Sequence, residues 1–390
     1  MPASASRRSN RRSIATLFWG ALLVAAACDR LSGLFGGESP AGESRVAWKY
    51  NVLGELTVPA FDDSLAFFAA ANHQVFALDK RTGAARWASP PYNGGIAPGT
   101  ALVVIGDVVV YPDYDIYAFD RATGALRWVF RDGPEGNVGH GALDRDGTRV
   151  YAGSTNGFAF AIGGTDGHLA WKSTVATDTT PTRVFDPMVD GDLVAVVYTR
   201  ATNPVSGGVA ALERSTGAVR WRRELLPATP GQPSGGWNRA GFSGALVIVP
   251  STNGSVHAFD RITGDEVWKR DRPAALRPTE GDDQRLVVAN GVVVVASAGL
   301  TTLSGLDAAT GAQLWQRSPG RGSIVSPMTA VGDVVYLTYL SGQLSAVNAQ
   351  NGATLWEVSV GAQDPLWMSP AADTSYLFVP GAHGFYAIRR

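Results

Sequence analysis

The chain has 390 residues, with 33 Lys and Arg against 34 Asp and Glu, a formal net charge of −1, and one cysteine. That balance offers no basic footprint for nucleic acid. A length of this order would by itself imply two or three domains.

The N-terminus follows its own rules. Arg7, Arg8, Arg11 and Arg12 make a basic start, Ile14 to Ala27 form a short apolar run, and Ala25, Ala26 and Ala27 lead directly into Cys28. The run falls short of the ~20 residues that span a bilayer comfortably. A charged start, an apolar middle and small residues at the end are the parts of a secretory signal. With Cys28 directly after it, the segment resembles a bacterial lipobox, although Ala25 stands where leucine is usual. The resemblance implies that residues 1–27 are a lipoprotein-type signal peptide and that Cys28 carries the lipid. Cleavage at an ordinary Ala-x-Ala site and an uncleaved anchor are the alternatives. Residues 28–45 are rich in Gly, Ser and Glu and read as a flexible tether. Without residues 1–27 the chain keeps 29 basic and 34 acidic side chains, a net charge of about −5. The anchor implies a bacterial cell-envelope protein on the periplasmic side of the outer membrane. Asp29, next to the cysteine, leaves retention at the inner membrane open, and display at the cell surface is the other alternative.

From Val46 onward the sequence repeats. Trp87, Trp128, Trp171, Trp221, Trp268, Trp315 and Trp356 each end a nine-residue phrase, which first reads Asp79-Lys80-Arg81-Thr82-Gly83-Ala84-Ala85-Arg86-Trp87. Successive intervals are 41, 43, 50, 47, 47 and 41 residues. Roughly 40–50 residues of strand-rich sequence is one four-stranded propeller blade. In the unit ending at Trp356, a Gly332-Asp333 turn precedes a strand from Val334 to Tyr339. Ser341-Gly342 then turns into a third strand from Leu344 to Val347, and Asn351-Gly352 into a fourth. Within the phrase, Gly supplies the positive φ of a tight turn. The carboxylate four residues earlier accepts backbone N–H groups of that turn. The tryptophan has a large face to bury and is expected between neighbouring blades.

The two ends complete the count. Trp48 lies 39 residues before Trp87, in a Val46–Tyr50 stretch that reads as a fourth strand without its first three. Phe385 to Ile388 reads as a third strand without its fourth. The expectation is an all-β, eight-bladed propeller of four-stranded antiparallel blades over residues 46–390, its last blade closed by both termini. Trp48 and the seven phrase tryptophans are then structural.

The Ala-x-Asp-x-x-Thr-Gly-x-x-x-Trp phrase resembles the repeat of quinoprotein-type propellers over the whole of residues 46–390. Two families share it. One is the pyrroloquinoline-quinone alcohol and glucose dehydrogenases. The other is the BamB-type lipoprotein of the outer-membrane β-barrel assembly machine, which has no cofactor. Likeness to the dehydrogenases implies long loops around a quinone, a calcium site and, in many, an adjacent cysteine pair. One cysteine cannot make that pair. Calcium wants several oxygen ligands together; no such cluster stands out, and Asp144-Arg145-Asp146-Gly147 reads as a turn. His73, His140, His168, His257 and His383 lack metal-ligand spacing. There is no nucleophile elbow, P-loop or dinucleotide fingerprint. No catalytic residue, cofactor or metal is therefore expected. The leading reading is a non-catalytic envelope lipoprotein, a monomeric propeller acting as a scaffold for an envelope protein such as an outer-membrane β-barrel assembly protein. A carbohydrate- or peptidoglycan-binding or sensor propeller is the alternative, and a quinone dehydrogenase the third.

Blade topology indicates where a partner would sit. First–second and third–fourth turns share one face; second–third turns and inter-blade connections share the other. The long irregular segments Ser89–Thr100, Asp132–Gly141, Arg200–Gly208, Leu225–Gly241 and Lys269–Asp283 all fall on the second face. Loops held by a rigid scaffold are where binding usually resides. Trp237, Tyr92 and Trp367 lie there outside the repeat positions and are the candidate partner-binding anchors. Packing on the rim or covering the channel mouth is the alternative for each.

Overall fold

Each repeat pairs two buried strands with one half-exposed strand. In the first, Leu65–Ala70 and Gln74–Asp79 are buried along nearly their whole length, while in Ala85–Ala88 only Trp87 turns inward. A strand covered on both faces reads as a continuous apolar run, and one covered on a single face alternates. A computed structural model describes residues 44–92, 100–133, 138, 143–176, 180–226, 231, 233–236, 239–271, 284–297, 302–318 and 328–390. The strands among them form eight antiparallel sheets. Blade 1 consists of Ala60–Phe61, Leu65–Ala70, Gln74–Asp79 and Ala85–Ala88. Blades 2 to 7 follow at 103–130, 144–174, 182–224, 241–270, 284–317 and 329–359. First strands touch from blade 1 to blade 3 and from blade 5 to blade 8, and blade 3 meets blade 4 through Met188–Asp190, so the sheets are arrayed about a common axis.

Blade 8 closes the ring as the split repeat implies. Ala371–Ala372, Tyr376–Pro380 and Phe385–Arg389 come from the C-terminus, and Val46–Tyr50 is the fourth strand. The register pairs Val46 with Ile388, Trp48 with Ala387, Lys49 with Tyr386 and Tyr50 with Phe385. The core is a set of layers between consecutive blades. Phe67, Val75 and Ala77 meet Val109, Tyr111 and Phe119 between blades 1 and 2. Phe68 of blade 1 stacks on Phe385 of blade 8, with ring centroids 4.4 Å apart.

The repeated phrase is a latch between blades. The indole nitrogen of Trp48 donates to the Lys80 carbonyl of the next blade at 2.8 Å, Trp87 to Arg121 at 2.9 Å and Trp268 to Ala308 at 3.0 Å. Trp128, Trp171, Trp221 and Trp315 make the equivalent bond. Each acceptor is the second residue of the following phrase. The same ring lies on the turn glycine of that phrase: a Cβ added to Gly311 would sit 2.6 Å from the Trp268 ring, and one on Gly124 2.5 Å from Trp87. These glycines also hold φ near +70°, where an L side chain is strained. On its other flank the tryptophan pairs with a small residue of its own third strand, Ala77 for Trp87, Ala258 for Trp268 and Gly305 for Trp315.

Two features of the latch are not visible in sequence spacing. All eight fourth strands carry a bulge immediately before the tryptophan. In blade 5, Ala258 pairs with Trp268 and Phe259 with Glu266, leaving Val267 as the extra residue. A bulge bends the strand and re-aims the next side chain, here toward the neighbouring blade. The second is an ion pair from the residue that accepts the indole bond. Lys80 reaches back to Asp373 at 2.6 Å, Arg261 to Asp190 at 2.7 Å and Arg121 to Asp62 at 3.6 Å. Each acid lies in or beside the first–second turn of the preceding blade.

The turn carboxylates do what the phrase requires. Asp260 Oδ1 accepts the N–H groups of Ile262 and Thr263, and the Asn348 amide oxygen does the same for Gln350 and Asn351. These bonds favour the charged form. The Arg86 guanidinium, with the Thr82 and Arg81 turn donors, holds Asp79 at about 2 against opposing desolvation. The N–H groups of Thr263 and Ile262 lower Asp260. One reading changes at blade 3: Asp144–Arg145 is its short first strand, and the turn is confined to the residues that follow.

Two outcomes follow from the latch. Trp268→Ala should cost roughly 3–5 kcal/mol as a large-to-small change in a packed layer. Gly311→Ala should be strongly destabilising in the wild type but cost only the backbone strain, about 1–2 kcal/mol, once Trp268 is alanine. Denaturant titration of the four proteins measures this coupling; additive losses would contradict a shared contact. The second outcome is pH dependence. Carboxyls whose folded values lie below the unfolded ~3.9 contribute fully above that pH and lose their contribution as pH falls through the folded values. The melting temperature should hold from pH 7 to about 5 and decline below about 4. Asp260→Asn should keep most of the stability that Asp260→Ala loses, because an amide oxygen already serves at Asn348.

Candidate functional site

Variation between blades concentrates on the face opposite the latch turns. Blade 4 departs most. Its second and third strands, Leu193–Arg200 and Ser206–Glu213, have 8 residues each. The expected insertion at 200–208 is thus a lengthened hairpin whose turn is only 201–205. Arg200 clamps Glu224 with two bonds of 2.7 Å, and the Tyr198 hydroxyl donates to the same carboxylate at 2.8 Å. The connection after blade 4 is stitched to this hairpin: Ser234 N donates to Val205 O at 2.8 Å and Gly236 N to Tyr198 O at 3.2 Å. Gly236 admits no side chain, since a Cβ would lie 2.0 Å from Val197. Gly235 and Gly236 in this connection serve its close docking on the hairpin.

The candidate anchors fare differently. Trp367 is half exposed, 50 %, on the connection between blades 7 and 8, between buried Leu366 and Met368. Tyr92 is only 9 % exposed and packs on the rings of Tyr111, Tyr117 and Phe119. It fills the layer between blades 1 and 2, so it is not the exposed anchor its loop position implied. Burial drives its hydroxyl pKa strongly upward. Trp237, Cys28 and residues 1–43 lie outside the described residues. Sequence reading missed Leu53, Leu226 and Leu340, exposed leucines on the same face. The signal was a large apolar residue in a turn or connection with no strand pattern around it.

Three of these form one neighbourhood. Leu366 N bonds Tyr339 O, Ala382 N bonds Pro365 O, and Gly54 N bonds Ala382 O, at 3.3, 3.1 and 3.1 Å. This chain of bonds ties the segments bearing Leu340, Trp367 and Leu53 together across the seam of blades 7, 8 and 1. A cavity of about 310 Å³ opens at the same seam, lined by Lys49, Val360, Gln363, Asp364, His383 and Tyr386. Asp364 is buried and accepts the Tyr386 hydroxyl and, at 2.8 Å, the His383 N–H. Lys49 Nζ stands 3.6 Å from that carboxylate and 5.2 Å from the Tyr386 ring centroid. Burial, then the adjacent carboxylate, raises the Tyr386 pKa.

A second cavity, about 380 Å³, lies among the first strands. Met188, Phe242, Leu286 and Met328 give it apolar walls, and Arg239 and Arg285 reach it. Arg239 pairs with Asp144 at 3.0 Å, and that carboxylate also accepts the Val189 N–H at 2.8 Å. Among the described residues no three His, Cys, Asp or Glu side chains assemble as a metal site. His257 is fully buried, stacks on Phe259 and has its Nδ1 3.6 Å from Glu266, whose carboxyl it lowers.

Solved structures share this architecture. The computationally designed Ika8 protein is 16% identical, with a TM-score of 0.69 over 90% of this chain and 100% of its own. BamB from Moraxella catarrhalis is 21% identical, with a TM-score of 0.58 over 79% of this chain and 84% of its own. The quinohemoprotein alcohol dehydrogenase from Comamonas testosteroni is 16% identical, with a TM-score of 0.65 over 88% and 76%. At these identities the likeness speaks for the fold alone. No curated protein matches the sequence. The profile of one family matches at residues 39–205 and again at 205–375. Matched over most of its length, the chain belongs to the family described as outer membrane protein assembly factor BamB.

Proposed function

We propose that this protein is a non-catalytic, lipid-anchored envelope scaffold that holds a protein partner on the loop-rich face of its propeller, in the assembly of outer-membrane β-barrel proteins. Exposed Leu53, Tyr114, Leu226, Leu340 and Trp367 on that face are the observation that carries the reading. The outer strands expose apolar residues too, but spread along a rim, one or two in a blade as at Leu126 and Val129 in blade 2 and Leu169 in blade 3. On the loop face Leu53, Leu340 and Trp367 meet at a seam whose backbone is fixed by hydrogen bonds. Aromatic and aliphatic anchors on a rigid frame bind with little ordering cost. Family membership supplies the process, and Cys28 the attachment.

The test is capture of purified barrel-assembly proteins by the purified protein. Trp367→Ala should weaken binding by about 2 kcal/mol or more, as for a hot spot, with an unchanged melting temperature. Ile262→Ser, an exposed residue in a turn on the opposite face, should leave binding intact. Equal loss from both, or from neither, would refute the assignment of the face. Binding of peptidoglycan fragments with no protein captured would favour the carbohydrate alternative. Titration with pyrroloquinoline quinone and Ca²⁺ should give no stoichiometric absorbance change and no dye reduction. Cys28→Ser should abolish lipidation by mass spectrometry and release the protein from membranes; retention after a salt wash would mean a different anchor.

A further inference from the structure

The geometry points to the cavity at the seam of blades 7 and 8 as a receptor for the C-terminal carboxylate of a partner polypeptide that ends in a large apolar residue. This rests on the reading of the loop-rich face as the partner surface, and names which part of a partner it grips.

The charges of the cavity are arranged in depth. Asp364 lies at the back with its side chain 6 % exposed, and its oxygens are met by the Tyr386 hydroxyl, the His383 N–H and Lys49. The groups nearer solvent carry N–H donors: the Lys49 side chain is 39 % exposed, and the His383 side chain is 56 % exposed with its Nδ1 3.8 Å from the same Asp364 carboxylate. The Gln363 amide joins them in the wall. Lys49 Nζ makes a long 3.6 Å ion pair with Asp364 and stands over the face of Tyr386. An ammonium has three donors, which leaves one for a ligand at the cavity that Lys49 lines. A donor-lined mouth backed by a satisfied acid selects an anion that accepts hydrogen bonds, and a carboxylate is the anion a protein partner brings. Charge-assisted bonds of this kind are about twice as strong as neutral ones.

The apolar residues fix the rest of the ligand. Val360 lines the cavity, and Trp367 stands exposed three residues beyond Asp364 on the same connection. Leu340 and Leu53 lie on the segments bonded to it. A chain-terminal residue presents its carboxylate and its side chain from one Cα. It can therefore satisfy donors and apolar wall together, whereas an internal acid must draw its apolar group from a neighbouring residue. The frame is held by the backbone bonds across the seam, which lowers the ordering cost of binding.

The test is fluorescence polarisation with the full propeller and three labelled short peptides: one ending in phenylalanine with a free carboxylate, its C-terminally amidated twin, and an amidated twin with an internal glutamate. The free acid should bind about tenfold tighter than either amide, the equivalent of one charge-assisted contact. Lys49→Gln should erase most of that ratio and leave the amide unchanged. Because Lys49 sits in the ring-closing strand, Gln363→Glu, on an exposed irregular segment, is the second variant and should erase it by repulsion. Equal binding of acid and amide, equal binding of the internal-glutamate peptide, a ratio that survives both variants, or no binding at about millimolar peptide would overturn the assignment. Capture of a barrel-assembly protein that depends on Trp367 but is indifferent to Lys49→Gln and Gln363→Glu would overturn it too, while leaving the scaffold reading intact.

Discussion

An indole ring laid on a glycine of the next blade is the contact on which this ring of sheets depends. It joins three constraints in one phrase. The tryptophan needs a flat partner without a side chain, the glycine needs a turn with positive φ, and the turn needs a carboxylate to hold its N–H groups. The indole nitrogen, which would cost several kcal/mol if buried unpaired, finds a carbonyl in that same turn. Each phrase therefore serves two interfaces, accepting from the blade before and donating to the blade after. The seam that lacks a full phrase is the instructive case. Blade 8 is split between the termini, and the Trp356 ring is covered instead by the Arg45 guanidinium, 4.4 Å from its centroid. Among the described residues the Trp356 indole nitrogen makes no hydrogen bond.

Concentrating the shared contacts at one end of the blades frees the other. The latch turns, their carboxylates and the Lys80–Asp373 and Arg261–Asp190 pairs occupy one face. The opposite face is relieved of that role and varies: a long hairpin in blade 4, a stitched connection after it, and a polar cavity beside exposed leucines and a tryptophan at the closing seam. A scaffold with one fixed face and one variable face accommodates new partners by loop change alone, and this accounts for one architecture serving proteins as different as an assembly factor and an alcohol dehydrogenase.

The repeat made the fold legible because its period, its Thr-Gly turns and its tryptophans all report on the same backbone geometry. The split blade was legible for the same reason: Trp48 lies on period and Phe385 to Ile388 matches a third strand. The bulge before each tryptophan was not, because an extra residue in a strand leaves no mark in spacing when every copy carries it. The back-reaching cations were hidden because their acids lie in turns tens of residues away. The burial of Tyr92 was not legible because a loop position does not fix exposure: a chain leaving an outer strand can fold an aromatic ring into the layer it has just built. Leu53 and Leu340 escaped notice because single apolar residues in turns are common, and only the hydrogen bonds between their segments bring them together with Trp367.

Hydrogen exchange at the indole nitrogens, followed by NMR on ¹⁵N-labelled protein with assigned tryptophans, tests the latch most directly. Trp48, Trp87, Trp128, Trp171, Trp221, Trp268 and Trp315 should exchange only through opening of the ring, at similar slow rates. Trp356 should exchange faster than those seven, and Trp367 at the rate of an exposed side chain. Exchange of the seven at rates close to Trp367 would mean that the indoles are not held by the next blade, and the account of what binds these sheets into a ring would fail.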